Sequence, residues 1–320
     1  MRVDGLLGIP GLRRPIVQAP VGPCAGPELA GAVAGAGGLG LLACTWSAPE
    51  AIAADVAGAR ACGAGPLGGN LVLRFDVDAQ LAALLAAGVD VVTFSWGRPG
   101  EERVRRCHAA GARVAVQVGT ATAVPDLLVD GVDAIIAQGV EAGGHVQSTQ
   151  PLRALLADVL ARAEGTPVVA AGGLVTAADV ADALERGAAA AMLGTRFVAT
   201  LESRAHPRYK QALVDAEADD AVTTLAFDGT WPFGPHRVLR NATLDAWEAA
   251  GCPWPGDRPG EGDVVLRRGD RELVRYDDAP PLVGDEGDIA AACRYAGRGV
   301  GAVADIPAAA DLVARLAGAV

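Results

Sequence analysis

Eight short apolar runs, each followed by a stretch of helix length, constrain this chain more than any other feature of its sequence. They occupy 16–20, 39–44, 67–71, 89–95, 114–118, 134–138, 168–171 and 190–194. Each is apolar nearly throughout instead of alternating with polar residues, so both faces of the resulting strand must be covered. The segments between them, such as 27–36, 77–87, 151–163 and 177–186, are alanine-rich with helical period. Strands joined by helix-length crossovers lie parallel. Eight such units close naturally into a (β/α)8 barrel, with an open doubly wound sheet as the alternative.

The barrel pattern accounts for 1–199. From about 200 to 285 the chain gains prolines and charge and carries Trp231, Trp247 and Trp254, three of its five tryptophans. This reads as a helical, loop-rich insertion after strand eight that covers the barrel mouth. Residues 286–320 return to the barrel, with a helical pattern at 307–316 expected to pack on its wall.

Composition removes several function classes. A net charge of −11 with no basic cluster argues against a nucleic-acid surface. The uncharged window 29–49 is broken by Gly31, Gly35, Gly37, Gly38 and Gly40, so it reads as helix end, turn and strand instead of a membrane span. The six cysteines form no C-x-x-C pair and are spread too evenly for a metal module. With no signal peptide in view they are expected to be reduced packing thiols in a cytoplasmic protein. Two stretches match G-x-G-x-x-G, at Gly35-Gly37-Gly40 and Gly63-Gly65-Gly68. Both follow a helix and precede a strand, the reverse of a dinucleotide-binding turn, and are rejected as such.

The chemistry is expected where the strands end. Gln18, Thr45, Asn70, Ser95, Gln117, Gln138 and Glu141 lie at or just after the ends of strands one to six, which ring the C-terminal mouth of a barrel. Strand six runs into Gly143-Gly144-His145, placing the side chain best suited to proton exchange near neutral pH on a glycine-rich loop. Gly172-Gly173 after strand seven, Gly194-Thr195 after strand eight, and a helix starting at Thr176-Ala177 suit a phosphate dianion. A phosphate site, a ring of amides and a histidine together suit a phosphorylated planar cofactor.

Several motifs together resemble one family: Gln18-Ala19-Pro20, Gly69-Asn70-Leu71, the run from Gln138 to His145, Ala170-Ala171-Gly172-Gly173, Met192-Leu193-Gly194-Thr195-Arg196-Phe197, and the run from Tyr295 to Gly301. They are similar to the nitronate monooxygenase (2-nitropropane dioxygenase-like) family, which includes FMN-dependent enoyl-ACP reductases. The resemblance implies a barrel that binds FMN noncovalently. It places Asn70, Gln138 and Gly143 against the flavin, and Gly173, Met192, Leu193, Gly194 and Thr195 at the ribityl phosphate with Gly172 adjacent. It makes His145 the active-site histidine. Gln117 is a ring contact on geometry alone. The chain departs from many relatives at Val21, where they have methionine, and at Gln147, where they have glycine.

Two activities follow from the resemblance. In the first, alkyl nitronates are oxidised by molecular oxygen to a carbonyl compound and nitrite. In the second, NADH or NADPH reduces the flavin, which passes hydride to an enoyl thioester or quinone. A flavin-binding protein with vestigial catalysis is a third reading, against which the intact His145 argues. The expected partners are a small-molecule substrate and oxygen, with no resident metal, and a homodimer is compatible with the sequence.

Overall fold

The computed structural model describes residues 6–229 and 231–318. Eight parallel strands form one sheet: β1 (Ile16–Gln18), β2 (Gly40–Ala43), β3 (Leu67–Val72), β4 (Val91–Ser95), β5 (Arg113–Val118), β6 (Ala134–Gln138), β7 (Val168–Ala171) and β8 (Ala190–Leu193). Neighbours follow chain order from β2 to β8, and β8 pairs with β1. A parallel bridge between Val17 and Leu39 closes the ring, giving the expected (β/α)8 barrel.

Alternation within each strand divides its side chains between two apolar layers. In β4, Val91 enters the barrel interior with Leu41, Ile136, Val169 and Met192. Val92 and Phe94 point outward into the layer beneath the helices. Burial of side chains this size contributes roughly 1.5–3 kcal/mol each, which is why eight such runs outweigh the entropy of ordering them. The outer helices are α1 (Pro27–Gly35), α2 (Pro49–Cys62), α3 (Asp78–Ala86), α4 (Gly100–Ala109), α5 (Val124–Asp130), α6 (Leu152–Leu160) and α7 (Ala177–Glu185). Both rejected glycine motifs are helix-to-strand turns. Their glycines help α1 and α2 touch: a Cβ on Gly63 would lie 2.2 Å from the Gly31 carbonyl oxygen.

After the short helix α8 (Thr195–Val198), the insertion holds α9 (Pro207–Asp215) and α10 (Ala242–Ala249), and also strands that the periodicity does not reveal. Strand β9 (Ala221–Thr224) pairs with β10 (His236–Leu239), and β11 (Val264–Arg268) pairs with β12 (Arg271–Val274). The C-terminal helix α11 (Ala309–Ala317) packs Leu312, Val313 and Leu316 against Ile16, Leu29 and Leu193 on the barrel wall. No helix among the described residues is long and apolar enough to cross a membrane.

Candidate active site

The C-terminal ends of the strands open into a cavity of about 660 Å³. Asn70, Ser95, Gln117 and Gln138 line it, but the rest of the expected polar ring does other work. Gln18 is fully buried in the seam between β1 and β2, where its amide donates to the Leu41 carbonyl (3.2 Å) and accepts from the Leu41 N–H (3.1 Å). It staples the barrel shut where the backbone ladder is shortest. Thr45 Oγ1 accepts the Val72 N–H at 2.9 Å, and a Glu141 carboxylate oxygen caps the start of α6 by accepting the Leu152 N–H at 2.9 Å. A strand-end polar residue serves backbone or cavity according to which way its side chain leaves the strand, and spacing along the chain does not encode that.

The amides that do reach the cavity are held in defined orientations. Asn70 Nδ2 donates to the Thr93 carbonyl (3.3 Å) and hydroxyl (3.0 Å), which leaves Oδ1 as the atom not used in that pair. Gln138 donates to the His145 carbonyl (3.2 Å) and accepts the Gln147 N–H (2.9 Å), so it shapes the loop while lining the cavity. Gln147, one of the departures from the family pattern, accepts a 2.6 Å hydrogen bond from Gln117.

His145 is drawn into the insertion. Gly144–His145 forms a two-residue strand that pairs antiparallel with His236 and Arg237 of β10. Arg237, buried, ties the same loop down by donating to the carbonyls of Val140 (2.8 Å), Ala142 (3.2 Å) and Ala221 (3.1 Å). The indole of Trp231 stacks on the imidazole with centroids 4.3 Å apart and planes at 18°. Trp96 meets His145 edge-on at 6.3 Å and Trp231 at 4.7 Å. Trp96 holds this pose at φ 58°, a left-handed conformation that costs a non-glycine residue on the order of 1–2 kcal/mol.

His145 Nε2 is buried with no hydrogen-bond partner among the described residues, and of the three such side-chain atoms it alone belongs to a residue lining the cavity. An orphaned buried nitrogen costs about 1–3 kcal/mol and is a natural place for a group the chain itself does not supply. Burial, with His236 nearby, pushes the imidazole down to about 3, so the ring is neutral. His236 is fully buried, with Nδ1 2.9 Å from the Gly234 carbonyl and Nε2 accepting the Phe227 N–H (3.3 Å). Both its nitrogens are occupied, so it pins the lid and is not available to a ligand.

The sign of the His145 shift has a consequence for stability. Between its ordinary value of 6.5 and about 3, the unfolded chain binds a proton that the native ring does not. Stability from this group is therefore complete above about pH 6.5 and is lost as the pH falls toward 3. Chemical denaturation from pH 7 to pH 4 is expected to show an acid-side loss on the order of 1–3 kcal/mol that His145→Ala reduces. Equal pH slopes for the two proteins would show that the ring titrates normally.

Also bordering the cavity, Gly172 (φ 112°) and Gly173 (φ 73°) turn the chain after β7 through backbone conformations that L side chains rarely adopt. The N–H groups of Gly173, Leu174, Gly194 and Thr195 find no acceptor among the described residues. The start of α7 is different from expectation: Asp179 already accepts the N–H groups of Val175 and Thr176, so that helix end is capped by its own carboxylate. The N–H groups left without an acceptor here belong to the two glycine loops and not to the start of α7. Met192, Gly194 and Thr195 border the cavity, whereas Leu193 faces outward against Ile16 and α11. The C-terminal run ties loop six to the strand-eight loop: Gly297 N–H donates to Thr195 Oγ1 (2.9 Å), and Ala296–Gly297 pack so closely on Gly143 that a Cβ there would lie 2.5 Å from the Gly297 nitrogen.

Sequence reasoning did not single out Trp231 or Trp96. Tryptophan density in the insertion was a signal for the first, but nothing local identified its partner. The thiols of Cys24 and Cys44 are buried and pushed up to about 12, consistent with packing residues.

Comparison with known proteins agrees with this architecture. The family model for nitronate monooxygenase matches residues 5–80 and 76–318. The chain is 31% identical to the nitronate monooxygenase of Pseudomonas aeruginosa, covering 93% of this chain and 94% of that protein. It is 35% identical to (3aS,4S,5R,7aS)-5-hydroxy-7a-methyl-1-oxo-octahydro-1H-indene-4-carboxyl-CoA dehydrogenase of Mycobacterium tuberculosis, over 75% of this chain and 66% of that one. It superimposes on the nitroalkane oxidase of Streptomyces ansochromogenes with a TM-score of 0.78, 31% identity and 96% coverage of both chains. A match along nearly the whole chain, on the same barrel, means that this protein belongs to the nitronate monooxygenase family of oxidoreductases.

Proposed function

We propose that the protein binds FMN in the barrel mouth and oxidises alkyl nitronates with molecular oxygen, giving a carbonyl compound and nitrite. The observation that carries this reading is one cavity bordered by two complementary groups of atoms: unsatisfied backbone N–H groups at Gly173, Leu174, Gly194 and Thr195, and an unpartnered imidazole nitrogen at His145. The first fits a phosphate dianion and the second a reacting substrate. On the same cavity, Asn70, Gln117 and Gln138 offer amide groups that suit the donor and acceptor edge of a flavin. Bound there, FMN supplies electron transfer between substrate and oxygen.

The chain's own contribution is positioning and proton handling. His145 is neutral, which supports a role as hydrogen-bond partner or proton acceptor and not as a fixed cation opposite the nitronate charge. Gln138 and Arg237 hold its loop from both sides, and Trp231 excludes water from the ring. The second reading, a nicotinamide-dependent enzyme acting on a thioester, draws on the Mycobacterium tuberculosis relative, whose name specifies a carboxyl-CoA dehydrogenase. It ranks second because that match spans 66% of the relative, against 94% for the nitronate monooxygenase.

The purified protein is expected to be yellow, to release FMN on acid treatment, and to lose its oxidised flavin absorbance when mixed anaerobically with a nitronate. Release of FAD, or a colourless protein that ignores added FMN, contradicts the cofactor assignment. Bleaching by NADH or NADPH but not by nitronate selects the second reading.

A further inference from the structure

We infer that Trp231 is a specificity-determining residue that selects substrates whose remaining group is uncharged and flat or aromatic over those bearing a second anionic group. The inference rests on reading this cavity as the active site. His145 is embedded in an aromatic wall assembled from four separate segments. Trp46 contacts Phe75 (5.5 Å), Phe75 contacts Trp231 (5.6 Å), and Trp231 contacts Trp96 (4.7 Å), each pair edge-on. Trp46, Trp96 and Trp231 all border the cavity. Trp231 is buried and covers the face of the imidazole, and Gly234 packs beside Nε2, where even a Cβ would lie 3.2 Å away. A molecule that bonds this nitrogen must therefore slide against or displace the indole. The part of the substrate beside the reacting atoms meets aromatic faces on that side.

Charge makes the same distinction. The cationic side chains that border the cavity, Arg204, Arg268 and Arg271, each already face a carboxylate: Arg204 with Glu28 (3.0 Å), Arg268 with Asp285 (2.8 Å) and Arg271 with Asp277 (3.8 Å). A carboxylate carried into the aromatic slot would lose its water without gaining a partner. A phenyl group there would exchange water for indole surface.

The test uses ligands that cannot turn over. Calorimetry on the flavin-loaded protein compares nitrobenzene, which has no proton on the carbon bearing the nitro group, with propionate. Nitrobenzene is expected to bind at least about tenfold more tightly, Trp231→Ala to lose about tenfold of that affinity, and Trp231→Phe to keep it within about threefold. Propionate binding as tightly as nitrobenzene, or a preference unchanged in Trp231→Ala, overturns the inference. In parallel, kcat/KM is measured for the nitronates of phenylnitromethane and 3-nitropropionate. The first is expected to be favoured about tenfold or more in the wild type and to lose that advantage in Trp231→Ala. If neither nitronate is oxidised while the calorimetric preference holds, the proposed activity fails and the selectivity of the pocket stands. If both are oxidised with the carboxylate-bearing nitronate preferred, the activity stands and the role of Trp231 is refuted.

Discussion

His145→Ala is expected to retain FMN and lose turnover by about 10²–10⁴-fold, the range for a positioned acid or base. Cofactor retention is expected because the unsatisfied N–H groups belong to the glycine loops after β7 and β8 and not to the histidine or its side chain. Supplying the neutral nitroalkane and its preformed nitronate separately resolves what the ring does. A proton acceptor matters far more for the neutral form, whose carbon-bound proton must be removed. A hydrogen-bond partner for the nitronate affects both forms alike. Full rate in the variant on every accepted substrate would make His145 a packing residue and remove the basis of the proposed chemistry.

The second large effect is expected at Gly173. Its φ of 73° is unfavourable for any L side chain, and a Cβ there would lie 2.8 Å from the Glu141 Cβ. Valine must either force that contact or rotate the backbone, and rotation carries the Gly173 and Leu174 N–H groups away from the cavity. Strain of this kind costs on the order of 1–3 kcal/mol, and the misplaced donors add the loss of charge-assisted hydrogen bonds to the phosphate. Gly173→Val should therefore raise the FMN dissociation constant by at least about 10²-fold, as read by flavin fluorescence, while far-UV circular dichroism still reports a folded barrel. Unchanged FMN affinity in a folded variant would move the phosphate elsewhere.

Local pattern decided the barrel. The runs at β4, β6 and β7 are short, apolar on both faces and separated by helix-length segments, and these properties depend only on neighbours along the chain. The same kind of reading located loop six and the glycine pairs, because tight turns and positive φ select glycine residue by residue. It could not separate Gln18 from Gln117 and Gln138. All three are glutamines at strand ends, yet the first closes the barrel seam and the other two border the cavity. Nor did it show that the insertion contributes strands.

The state of His145 lies entirely beyond the sequence. Its depressed basicity, its orphaned Nε2, its pairing with His236 and its stack on Trp231 all arise from contacts between loop six and the insertion, segments far apart in the chain. Local periodicity records which face of an element is apolar, and so it determined the barrel and the position of the histidine on its loop. Desolvation and ring stacking depend on which distant atoms surround a group, so whether that histidine is charged, and what it can meet, was decided only by the contacts between loop six and the insertion.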